Sequence, residues 1–169
     1  MSMAGNVKTG APPSVSKRWR GALLFVLALS LLVASFYMTS MKGNEVIVVT
    51  FPSGKELETE VADTPEKLLF GLAFRDELPL DSGMLYIFET SDRHRLRTTG
   101  FKVPVDMIWV NERRVVVHVV ERAAPCSGEP CPLYGPPPED ARYIIQTVAG
   151  FVHEERVAPG VELRFTLRL

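Results

Sequence analysis

The chain has 169 residues, with 19 basic and 20 acidic side chains and a formal net charge of −1. That value conceals two unlike regions: residues 1–42 hold five basic residues and no acidic one, and the rest holds fourteen basic and twenty acidic residues, a net of −6. The acidic part is the size of one ordinary domain, with enough chain for a core of its own, and its charge excludes nonspecific nucleic-acid binding through a basic surface.

Residues 1–20 are rich in Gly, Ser and Pro and read as a disordered tail. Residues 21–41, GALLFVLALSLLVASFYMTSM, carry no charge and are flanked by Lys17, Arg18 and Arg20 on one side and Lys42 on the other. As a helix this run is about 31 Å long, against ~30 Å for the hydrocarbon core of a bilayer. It is longer than the ~7–15 residues of a signal-peptide core, and Leu32 two before Ala34 makes a poor cleavage site. The reading is an uncleaved signal-anchor, with the lipid bilayer as partner of residues 21–41. The positive-inside rule puts the tail in the cytoplasm and residues 43–169 outside it, a single-pass protein of the cytoplasmic membrane with a periplasmic domain. Cleavage would make that domain a secreted one.

Beyond the anchor the pattern is mainly β. Glu45–Phe51 is β-branched and apolar, Pro52-Ser53-Gly54 is a turn, and Lys55–Ala62 alternates Leu57, Thr59 and Val61 against three glutamates, as a hairpin partner does. Asp63-Thr64-Pro65-Glu66 opens a helix, with Asp63 as its cap and Leu68, Leu69 and Leu72 as its apolar stripe, ending near Phe74. Strands follow over Met84–Phe88, Arg93–Thr98, Val105–Val110 and Arg114–Val120, with Asn111-Glu112-Arg113 as a tight connection between the last two. Ala123–Ala141 is a Pro-rich loop holding both cysteines, and Tyr143–Val148 and Val161–Leu169 close the chain. About eight short strands and one short helix describe an α+β, mainly β domain, a small barrel or sandwich.

Several motifs in this order resemble a bacterial and archaeal family of domains of unknown function, DUF192. They are Gly71-Leu72-Ala73-Phe74-Arg75, Leu78-Pro79, Gly83-Met84-Leu85-Tyr86-Ile87-Phe88, Val103-Pro104-Val105-Asp106, Ala124-Pro125-Cys126, Cys131-Pro132-Leu133-Tyr134 and Ala149-Gly150. The resemblance implies a compact β-rich domain, often exported or membrane-anchored, and no activity. The family pattern before the Pro-x-Asp is of the form Phe-Trp-Met-Lys-Asn-Thr, whereas here it is Leu96-Arg97-Thr98-Thr99-Gly100-Phe101. A ligand site built by that segment is altered in this chain.

Residues with chemistry are few. Asp106, after Pro104 and at the head of an apolar strand, is a candidate acid or base through a burial-shifted pKa, or a turn anchor that accepts backbone N–H bonds. Arg75 suits a helix C-terminus or, with Arg97 or Lys102, an anion-binding site. Arg93, Arg95 and Arg97 share one face of their segment, as a solvated edge or a contact for anionic head groups. His94, His118 and His153 have no partners at metal-ligand spacing, so no metal and no cofactor are expected. No nucleophile elbow, phosphate loop or dinucleotide fingerprint occurs. Cys126 and Cys131, spaced Cys-x4-Cys, suit a disulfide outside the cytoplasm. The resulting expectation is a non-enzymatic binding or scaffolding module of the envelope, with an envelope protein or glycan as partner and the Pro-rich loop as contact surface. The alternative is an enzyme on an envelope glycan or small anionic metabolite, with Asp106 as acid or base and Arg75 as anion clamp.

Overall fold

The computed structural model describes residues 17–40 and 46–168, so most of the expected tail lies outside the described residues. The chain divides into two compact units, Met1–Gly43 and Asn44–Leu169. In the first, helix α1 runs over Lys17–Ser40, and its described side chains at residues 19 and 21–35 are exposed. Among the described residues no helix is long and apolar enough to cross a membrane. The anchor therefore remains a proposal, taken up below.

The second unit begins with the expected hairpin. Strands β1 (Val46–Thr50) and β2 (Glu56–Ala62) pair antiparallel, Val46 opposite Glu60 and Thr50 opposite Glu56. The turn between them is held by bonds from Gly54 N–H to the Phe51 carbonyl and from Phe51 N–H to the Lys55 carbonyl, both 2.9 Å. Leu57 and Val61 are buried while Glu56 and Glu58 are exposed, as the alternation requires.

Helix α2 is shorter than the pattern suggests, Pro65–Phe70, and its cap is Thr64 rather than Asp63. The Thr64 hydroxyl accepts from Lys67 N–H at 3.4 Å, and Pro65 stands in the first turn, where a missing N–H is harmless. The helix stops at Gly71, whose φ of 49° lies in the region favouring glycine. The three leucines do not share one face: Leu72 is buried and Leu68 is partly buried, but Leu69 is 77% exposed. Adjacent positions on a helix point about 100° apart, so Leu68 and Leu69 cannot both face the core.

Strand β3 (Ser82–Asp92) lies parallel to β2, and α2 lies in the connection between them. Strands β4 (Val105–Val110), β5 (Val116–Ala123), β6 (Ala141–Val148) and β7 (Arg164–Arg168) complete one seven-stranded sheet in the order β5-β4-β6-β3-β2-β1-β7, with the four-residue helix α3 (Phe151–Glu154) between β6 and β7. The Asn111 side chain holds the β4–β5 turn by accepting from Arg113 and Val115 N–H, each at 3.0 Å.

This sheet is open, which corrects the expected barrel or sandwich. Its edges β5 and β7 meet only at one end, where residues 114–116 exchange backbone bonds with residues 160–163 before β7 begins. The expected strand at Arg93–Thr98 does not form either. Leu96 pairs with Tyr134 and Thr99 with Cys126 as isolated bridges, because this segment crosses the sheet face and bonds to the Pro-rich loop instead of a strand. Both faces of the sheet are covered. One carries Met84, Tyr86, Met107 and Trp109 under α2 and the crossing segment. The other carries Leu57, Leu85, Ile108 and Ile145 with Phe51, Phe151 and Val152.

Candidate functional site

A groove of about 480 Å³ lies between α2 and the segment that crosses the sheet face. Tyr86 and Phe101 lie deep in it, both buried. Leu69, Phe70 and Phe74 form one lip and are exposed by 77, 51 and 65%. Arg95, Leu96, Arg97 and Leu133 form the opposite wall. Chemically the lining is one-sided: its charged groups are two guanidiniums, and it contains no carboxylate, imidazole or thiol.

Phe74 is held in an unusual way. Its φ is 67°, in the left-handed region, which costs a bulky side chain roughly 1–2 kcal/mol. Its N–H donates to the Gly100 carbonyl at 2.9 Å, and its ring packs on Gly100, where an added Cβ would stand 3.2 Å from Phe74 Cε1. Two segments distant in sequence thus hold an aromatic ring out into solvent, beside an apolar groove.

The opposite wall is braced by the cysteines. Cys126 and Cys131 form a disulfide, as expected for this spacing. Arg97 Nη1 donates to the Cys131 carbonyl at 2.7 Å, which orients the guanidinium along the groove. Gly100 N–H donates to the Cys126 carbonyl and Cys126 N–H to the Thr98 carbonyl. Arg93 Nε donates to the Pro137 carbonyl at 2.8 Å. The Pro-rich loop is therefore bonded onto the crossing segment, and it reaches the groove through Leu133.

Beneath the groove lies a small polar centre. Tyr86 OH donates to Gln146 Oε1 at 2.8 Å, and a Cβ on Gly71 would fall 1.6 Å from the Tyr86 oxygen. Burial pushes the Tyr86 phenol well above its ordinary pKa, against smaller opposing effects of a Leu72 backbone bond and Arg75, so it remains a protonated donor. Gln146 Nε2 is buried with no partner among the described residues. A separate recess of about 270 Å³ opens on the other side of Phe70, lined by Glu60, Lys67, Gly71 and Arg75.

The residues singled out from sequence go to different places. Arg97 lines the groove. Arg75 lies in the smaller recess, with Nη2 bonded to Glu60 Oε2 at 2.8 Å. Lys102 pairs with Asp76 at 2.5 Å at the surface. Asp106 is fully buried and lines none of these recesses. Its carboxylate accepts from Arg122 N–H at 2.7 Å and from Gly150 and Val152 N–H at 2.9 Å each, which is the turn-anchor geometry. Strand alternation puts Asp106 with Ile108 on the face that bears Phe151 and Val152, and Met84, beside Arg75, on the other. The shared pocket that joint catalysis by Asp106 and Arg75 requires is absent among the described residues, as is any metal-binding cluster. Phe74 and the Tyr86–Gln146 pair were not foreseen. The signal for the first was present in Phe70 and Phe74, two aromatics flanking a leucine run that has more members than one helix face can bury.

A family model described as Uncharacterized ACR matches residues 47–165. The chain belongs to this family, DUF192. The match covers nearly the whole second unit, including every residue of the groove. Two solved structures are similar. One is a proposed transcription regulator from Sinorhizobium meliloti, 26% identical, covering 73% of this chain and 94% of its own, with a TM-score of 0.62. The other is a protein of unknown function from Novosphingobium aromaticivorans, 22% identical, covering 95% of this chain and 99% of its own, also with a TM-score of 0.62, and it bears on the fold alone. No curated protein matches the chain. In this DUF192 member, Leu96, Arg97, Thr99, Gly100 and Phe101 all contribute to the lining of the groove.

Proposed function

We propose that this DUF192 protein is a non-enzymatic binding module of the cell envelope, anchored in the cytoplasmic membrane by residues 21–41 and carrying its β-rich domain on the outer side. One observation carries the binding part: the groove beside α2 has apolar walls, two guanidiniums and a phenol held protonated, with no carboxylate, imidazole or thiol in its lining. Such a lining holds a ligand without transforming it. The one buried carboxylate with a catalytic reading, Asp106, is engaged by three backbone N–H groups, so the alternative of an enzyme on an envelope glycan or anionic metabolite loses its acid or base. The net charge of −6 beyond residue 42 disfavours nucleic-acid binding through a basic surface.

Three features support the location: the uncharged run of 21–41, the basic residues before it and the Cys126–Cys131 disulfide, a bond that persists in oxidising compartments. A C-terminal fusion to alkaline phosphatase, an enzyme active only outside the cytoplasm, tests this directly. The expected result is phosphatase activity in the membrane fraction, and an inactive fusion of normal abundance would refute the topology. The binding role is tested by crosslinking in intact membranes, with Phe74→Ser and Leu69→Ser expected to remove adducts that the native chain forms. An unchanged adduct pattern in both variants counts against the groove as the contact site.

A further inference from the structure

The lining of the groove specifies a class of ligand. We propose that it takes a free single-chain amphipathic carboxylate, with the carboxylate on Arg95 and Arg97 and the apolar body laid along Phe70, Phe74 and Phe101. This deepens the binding reading and rests on it.

The volume, about 480 Å³, falls among small-molecule sites, which span roughly 300–1,000 Å³. The walls are apolar and the lip side chains are exposed, so a ligand with an apolar body removes from water the surface that Leu69, Phe70 and Phe74 present. The charge complementarity is of one sign, because both charged groups in the lining are arginines. They differ in state. Arg97 has one N–H committed to the Cys131 carbonyl, which fixes its plane and leaves its other donors for a ligand. Arg95 is exposed and has no hydrogen bond or ion pair among the described residues, while Arg75, Arg93 and Arg97 around it are all bonded. A planar carboxylate matches a guanidinium through two parallel bonds. Phe74 supplies the second sign of a built site, since its left-handed backbone holds the ring at the mouth of the groove at a cost that core packing does not explain.

The test is photo-crosslinking of the full chain in phosphatidylcholine nanodiscs with a diazirine-bearing dodecanoic acid, the adducts being mapped by mass spectrometry. The expected result is labelling within residues 68–74 and 95–101 that excess dodecanoate removes. Arg95→Gln, at an exposed residue without partners, is expected to reduce this labelling by about tenfold, as loss of a charge-assisted pair does, with Arg95→Lys restoring part of it. Equal saturable labelling of the groove by the methyl ester of the probe would overturn the carboxylate assignment and leave the binding reading intact. Absence of groove labelling by either acid or ester would overturn both. Labelling only by a photoreactive phosphatidylglycerol supplied in the nanodisc would overturn the free carboxylate in favour of a bilayer lipid.

Discussion

Gly71 and Tyr86 are in such close approach that a Cβ on the glycine would stand 1.6 Å from the tyrosine oxygen. This contact sets where α2 ends, because the chain must pass over the phenol, and so it sets where Phe70 and Phe74 begin to form the lip of the groove. Gly71→Ala is expected to destabilise the domain by about 3 kcal/mol, through overpacking and a positive φ. Combining it with Tyr86→Phe, which removes the oxygen, is expected to recover part of that loss. Chemical denaturation followed by tryptophan fluorescence measures both, and additive losses would show that the two residues are uncoupled.

The Asp106 carboxylate gathers N–H groups from the end of β5 and from the start of α3. Asp106→Asn keeps the shape but turns one acceptor into a donor facing a backbone N–H, with an expected cost of roughly 2–3 kcal/mol. Asp106→Ala leaves all three N–H groups unpaired and should cost more. A variant with native stability would show that the N–H groups find other acceptors.

The Cys126–Cys131 bridge closes a short loop, worth about 2 kcal/mol in the chain-entropy description. Non-reducing mass spectrometry should find no alkylatable thiol in the native protein. The double serine variant should fold with reduced stability, and because the Cys131 carbonyl orients Arg97, it should also weaken ligand capture more than its loss of stability accounts for. Capture unchanged from that of the native chain would separate the bridge from the groove.

Burial raises the Tyr86 phenol above the ordinary tyrosine pKa of 10.0. The folded state therefore favours the protonated phenol, and the linked stability is fully present below about pH 10 and declines as pH rises beyond it. Native protein and Tyr86→Phe should show the same phenolate absorbance at about pH 11 while both stay folded. An excess in the native protein would mean that Tyr86 ionises in place.

Local pattern made much of this fold legible. Strand β4 coincides with the apolar run Val105–Val110, the Pro52–Gly54 turn joins the two strands that alternation marks, and Asn111 begins a tight connection. The turn-anchor reading of Asp106 was also available, since a carboxylate beside Pro104 at a strand start has backbone N–H groups within reach. The alternating arginines were misleading. Period-two spacing suits a strand, but a segment forms one only if a neighbour supplies the ladder, and the partner of Arg93–Thr98 is the Pro-rich loop, more than thirty residues away at Tyr134.

Composition and spacing by themselves determined a mainly β domain after an uncharged run and pointed to the disulfide, because periodicity, charge and short loop closure are properties of neighbouring residues. Only the tertiary structure decided that the sheet stays open, that Asp106 and Arg75 lie on opposite faces of it, and that Arg95 and Arg97 come to face Phe70 and Phe74. Those relations depend on strand order and on chain crossings between distant segments, and local spacing carries no record of them.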